Sequence, residues 1–233
     1  MSPSNFDVIA TLLGGQLTMG IDEISDRQYN LYMGLCLLWG FVLNAILIKS
    51  IDMTFVLQTK GSYIGFIIIY FVVCFIGIML FQKSDNPFVS FLGYNLIAVP
   101  FGLVLDLIVT PFAELGNVVF FAMVVTAGIT IIMILLGTIY PDFFLSLGRT
   151  LFISLLVSII VELVASLLLG LDLTIIDYVV ALIFSGYIGY DWARAMEKDK
   201  TVDNAIDSAC DLYMDIINLF IRILEIMGRS KKR

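Results

Sequence analysis

Seven apolar stretches, each about 20 residues long, leave this chain essentially one architecture. About 20 helical residues cross a hydrocarbon core roughly 30 Å thick, and lipid offers no water to a backbone amide. Runs of this length must therefore be helices that satisfy their own peptide groups. They lie near 30–50, 63–82, 88–110, 117–139, 149–170, 174–194 and 203–227, with short connections, which predicts one compact all-α membrane domain. Composition agrees: 60% of the 233 residues are hydrophobic, 14% are charged and the mean hydropathy is +1.01, beyond the range of soluble domains. The expected organisation is a surface segment at 1–28, a transmembrane domain at 29–228 and a basic tail at 229–233. In the first segment, "FDVIATLL" is expected to lie along the interface, and no signal-peptide pattern opens the chain.

The chain has no histidine, which excludes a His-ligated metal site and a Ser/His/Asp triad. Any titration near neutral pH must come from carboxylates. Cys36, Cys74 and Cys210 fall inside apolar stretches, where a thiol acts as a small packing group. A net charge of −7 argues against nucleic acid as a partner, while the tail "RSKKR" suits anionic membrane lipid. Cations divide almost evenly between the two membrane faces, and their spread over several short loops favours a cytoplasmic N-terminus if all seven stretches span fully; a cytoplasmic tail as well would require one stretch to be re-entrant.

The last stretch, "VDNAIDSACDLYMDIINLFIRILEIMG", carries Asp203, Asp207, Asp211 and Asp215 at every fourth position, then Asn218 and Arg222. At 3.6 residues per turn these share one slowly drifting face, opposite Ile206, Leu212, Ile216, Leu219 and Ile223. A helix lying on the membrane surface normally presents Lys and Arg, and an acidic face is repelled by anionic lipid. The favoured reading is a central helix whose polar face lines a water-accessible path inside a bundle. Thr201 or Asp203 is placed to cap it.

Other acids interrupt the apolar stretches. Glu162 sits mid-span, where an ionised carboxylate costs several kcal/mol unless protonated, paired or hydrated, so a pathway or pairing role is expected. Asp191 follows Gly186 and Gly189, whose small size lets a neighbouring helix approach, so its carboxyl should face protein. Asp106 is either interfacial or part of an ion entrance. Pro87 is expected to open the third helix, Pro100 and Gly102 to loosen it and Pro111 to stop it. Ala127, Gly128 and Gly137 should permit close contact by the fourth.

"GYIGYDWARAM" followed by "DNAIDSACDLYMDIINLFIRILEIMG" resembles the end of the Bax inhibitor-1 family, the transmembrane Bax-inhibitor-motif proteins, in its bacterial branch. The YD of the sixth stretch and LYMDIINLF of the seventh carry the likeness, with a weaker echo in "PDFFLSLGR". The resemblance implies six helices wrapped around a central C-terminal one and a pH-dependent calcium leak across a bacterial plasma membrane. By position, the family's paired aspartates fall on Asp191 and Asp215, and its motif asparagine on Asn218. A basic residue that contacts the pair in bacterial relatives has its nearest match in Lys83. Asp211 stands where relatives often carry a small polar residue, and Arg222 and Glu225 are spaced to pair with each other.

Two buried carboxylates within hydrogen-bonding distance cannot both ionise cheaply, so they share a proton and titrate in coupled steps. Such a proton between Asp191 and Asp215 would fasten the last two helices, and its loss, or replacement by calcium, would shift the packing. The expected ion path comprises Asp207, Asp211, Asp215, Asn218 and Glu162. Asp191, Asp211 and Asp215 are the expected calcium ligands, and no cofactor is expected. An intramembrane aspartyl protease also needs two carboxyls, but the last helix offers "YMDI" instead of GxGD. A scaffold that regulates another membrane protein, and a proton-coupled transporter, remain as alternative functions.

Overall fold

The computed structural model describes residues 23–169 and 174–232. The expected surface segment, including "FDVIATLL", lies outside the described residues except for its last six positions. The helices are α1 (Asp26–Ser50), α2 (Lys60–Lys83), α3 (Pro87–Ala113), α4 (Val118–Ile139), α5 (Pro141–Ser146), α6 (Gly148–Leu169), α7 (Thr174–Glu197) and α8 (Val202–Lys232), with a 3-10 turn at Thr54–Leu57. Six of them, α1 to α4, α6 and α7, are long and apolar enough to span a membrane. The seventh, α8, runs 31 residues through their midst.

Local chemistry sets the boundaries. Ser25 and Gln28 form a reciprocal capping box on α1, Thr59 caps α2, and Asn86 caps α3 with Pro87 in its first turn. Thr201, not Asp203, caps α8: its hydroxyl accepts the Asn204 N–H at 3.1 Å. The helix α3 runs on through Pro100 and Pro111 to Ala113, so Pro111 is not its stop. Pro111 lies only two residues before the end, where few helical bonds remain to be lost. "PDFFLS", expected in a loop, forms the short helix α5 and seats Phe144 in the core.

The wrap around α8 is uneven. Helices α1, α3, α4 and α7 pack directly on it; α2 lies outside against α3, and α6 outside against α7. Close backbone approach holds α2 in place: a Cβ added to Gly77 or Gly93 would lie 2.7 Å from the other's carbonyl oxygen. A Cβ at Gly137 of α4 would sit 2.8 Å from the Gly189 carbonyl of α7, whereas Gly128 faces open space and makes no such approach.

Polar pegs fix the register of α8. The Tyr29 hydroxyl of α1 donates to the Asn204 carbonyl at 3.2 Å and shares a 2.9 Å hydrogen bond with Ser208. Asn44 of α1 donates to the Tyr213 hydroxyl at 2.5 Å, and Tyr213 stands edge-on to Tyr94 of α3 with centroids 5.4 Å apart. Asn44 is thus a buried contact between helices. Asp106 accepts the Met53 N–H at 2.9 Å and the Thr110 hydroxyl at 3.2 Å, which gives it a structural task at the 3-10 turn.

Toward the C-terminal end of α8, Arg222 grips Glu162 of α6 through two bonds of 3.0 and 2.8 Å. It also reaches Asp177 of α7 at 2.8 Å and Glu225 at 3.3 Å, while Arg229 reaches Asp177 at 2.7 Å. This network ties the outer helix α6 to the centre, and it confirms the Arg222–Glu225 pair. Paired guanidinium and carboxylate groups make a mid-span Glu162 affordable without any part in transport.

Two tests follow from thermal unfolding in detergent. Gly137→Ala should destabilise by about 1–3 kcal/mol through overpacking, while Gly128→Ala should be neutral or stabilise by up to about 1 kcal/mol through helix propensity. Arg222→Gln should cost about 1–3 kcal/mol, because Glu162, Asp177 and Glu225 then face one another without the cation, partly screened by solvent.

Candidate functional site

The carboxylates fall into a ladder along the first half of α8. Asp203 is 5% exposed and accepts the Ser90 hydroxyl of α3 at 2.7 Å. One turn on, Asp207 is half-buried, and its Oδ1 has no donor. Asp211 follows, facing Lys198 at 3.7 Å and Arg194 at 4.0 Å. Asp215 is 7% exposed, with an Oδ2 that finds no donor.

The structure brings Asp191 of α7 and Asp215 of α8 together, their carboxyls within hydrogen-bonding reach. Two residues before Asp191, the missing side chain of Gly189 leaves room for the Phe144 ring and for Gly137. Around the pair stand Arg194, 3.5 Å from Asp191, and the rings of Tyr187 and Tyr190 on α7. Asp211 completes the charged surroundings from α8. Two facing carboxyls, one of them with an oxygen that finds no donor, can share a proton or attract a cation, and both events alter the attraction between α7 and α8.

The remaining expected residues are elsewhere. Asn218 donates to the Met214 carbonyl of its own helix at 2.7 Å, one turn past Asp215, so its amide is engaged away from the pair. Glu162 belongs to the Arg222 network and not to the ladder. Lys83 is exposed at the end of α2 and makes no ion pair among the described residues. Among the described residues no three acids or thiols are grouped to hold a metal ion, so Asp191, Asp211 and Asp215 do not form a ready calcium cage. Asp211 is turned instead toward the two cations.

Arg194 and Lys198 are the participants that sequence reasoning missed. Arg194 had a legible signal, since it stands three residues after Asp191 on a helix, the spacing of neighbouring side chains. Lys198 reaches Asp211 only because the turn after α7 folds back toward α8. Ser90 and Asp177 gave no signal, because their partners come from helices distant in the chain.

The family model described as "Inhibitor of apoptosis-promoting Bax1" matches residues 24–232. Two uncharacterized proteins, from two strains of Helicobacter pylori, are each 29% identical over 202 residues, covering 82% of this chain and 84% of the relative. An uncharacterized membrane protein of Vibrio cholerae is 40% identical over 53 residues, 23% of each chain. With this match over nearly all the described residues, the chain belongs to the Bax inhibitor-1 family of multi-pass integral membrane proteins.

Proposed function

We propose that this protein is a pH-sensitive leak for cations, with calcium as the transported ion, regulated by a proton shared between Asp191 and Asp215. The observation that carries the reading is the meeting of these two carboxyls across the α7–α8 contact, with no donor for Asp215 Oδ2. A shared proton removes one negative charge and supplies the missing donor, fastening the two helices. Its departure leaves two like charges in a low-dielectric interior, a repulsion that separation of the helices or an incoming divalent cation relieves.

The acids above the pair give a cation successive oxygen partners. Asp203, Asp207 and Asp211 line the face of α8 that leads toward Asp215, one turn apart. Since no three acids among the described residues are grouped as a cage, a permeating ion would meet them in sequence and be held weakly, as conduction requires. Arg194 and Lys198 oppose cation entry while they face Asp211, so they act as electrostatic counterweights at that end. Nothing in this scheme involves bond-breaking chemistry.

Calcium flux into dye-loaded proteoliposomes across a pH series tests the scheme. Asp191→Asn and Asp215→Asn should each flatten the pH dependence, and an unchanged profile in Asp215→Asn would overturn it. Absence of flux at every pH, with the protein shown to be folded and inserted, favours a scaffold instead. Accumulation of calcium against its gradient, driven by protons, would identify a coupled transporter.

Replacing Lys198 by Gln removes positive charge near the acids and should move the flux midpoint toward higher pH by up to about one unit. Lys83→Gln, at an exposed position that makes no ion pair among the described residues, should leave the midpoint in place. The reverse pattern would restore Lys83 as the partner of the aspartate pair.

A further inference from the structure

Helices α1, α3 and α4 each pack on α8 but do not close completely, and a groove of 610 Å³ remains between them. Its walls are almost wholly apolar, with Phe41 and Ile48 from α1, Leu105 from α3, Met123 from α4 and Phe220 from α8 among them. Met123 and Ile131 on its edge are 49% and 59% exposed, so the groove opens sideways, toward lipid. None of the residues of the acid ladder lines it.

Its dimensions match one leaflet. Along α4 the lining runs from Val119 to Ile131, and along α1 from Lys49 back to Phe41. At 1.5 Å per residue these are about 18 and 12 Å, close to the roughly 15 Å that one leaflet contributes to the hydrocarbon core. The groove therefore starts at a membrane face and ends near mid-bilayer.

Charge marks the starting end. Lys49, the last-turn cation of α1, lines the mouth and has no ion pair among the described residues. Lys231 donates to the Leu115 carbonyl in the turn joining α3 to α4, which puts a second cation on the same membrane face. The nearby Asp52 carboxylate is engaged by the Thr54 N–H at 2.9 Å. An apolar slot one leaflet deep with a free ammonium at its interfacial end has the pattern of an amphiphile with an anionic head.

We infer that this groove is a binding site for an anionic phospholipid of the surrounding bilayer, with one acyl chain laid between α1 and α4 and the phosphate at Lys49. The site is independent of the proposed ion path, and its test does not involve calcium. At its inner wall the chain would pass Asn44, which holds Tyr213 of α8.

The test uses the full chain in phosphatidylcholine nanodiscs doped with phosphatidylglycerol that carries a photoreactive diazirine midway along one chain, with labelled residues mapped by mass spectrometry. Groove residues such as Thr126, Ala127 and Ile217 should label several-fold more than Phe71 and Phe75 on the exposed face of α2, which report ordinary contact with bulk lipid. Ala127→Trp should fill the groove and Lys49→Gln should weaken head-group capture, each lowering groove labelling several-fold while labelling of α2 stays constant. Groove labelling no greater than that of α2, or unaltered in Ala127→Trp, overturns the site. Equal labelling by a phosphatidylcholine probe, together with no effect of Lys49→Gln, overturns the anionic head group.

Discussion

A polar helix in a bilayer has to find its partners within the protein, and this requirement organises the whole bundle. The helix α8 carries four aspartates, an asparagine and an arginine at helical spacing, and lipid would satisfy none of them. Its neighbours answer group by group: Ser90 meets Asp203, Lys198 and Arg194 meet Asp211, Asp191 meets Asp215, and Glu162 with Asp177 meets Arg222. The apolar helices supply these few polar side chains inward and expose residues such as Phe71, Ile131 and Leu182 outward. Burial in this protein therefore inverts the usual pattern of a soluble domain, since the most polar helix is at the centre.

The two halves of α8 solve the charge problem differently. In its C-terminal half the guanidinium groups of Arg222 and Arg229 pair with the acids, and these cations keep their charge throughout the neutral range. Around its N-terminal half five acids, Asp191, Asp203, Asp207, Asp211 and Asp215, stand with the two cations Arg194 and Lys198, and Asp191 meets Asp215 carboxyl to carboxyl. The two ends of one helix are thus held by different chemistry, ion pairs at one and a carboxyl pair at the other.

The sequence made the spans legible because the physics of crossing lipid is local: twenty apolar residues suffice as a sign. The stripe on α8 was legible for the same reason, being a matter of periodicity, and the aspartates at 191 and 215 came with the family resemblance. The partners of Glu162 and Asp203 were hidden, because each comes from a helix far along the chain and nothing nearby specifies the pairing. Lys83 came from the resemblance as the nearest match to a basic residue at the end of the second span, and among the described residues it makes no ion pair, whereas the fold presents Arg194 and Lys198. That α2 and α6 stand in an outer layer depends on details such as the Gly77–Gly93 approach, which no count of apolar residues contains.

The central position of α8 also has a bearing on biogenesis. Of the described helices it is the last to leave the ribosome, and its ladder of acids makes it the least able to partition into lipid alone. The six apolar spans can enter the membrane on their own hydrophobicity, but Tyr29, Asn44 and Ser90 then await partners that have not yet been translated. Insertion and tertiary assembly of α8 thus become one event, in which a prebuilt cavity admits a helix that the bilayer by itself would reject.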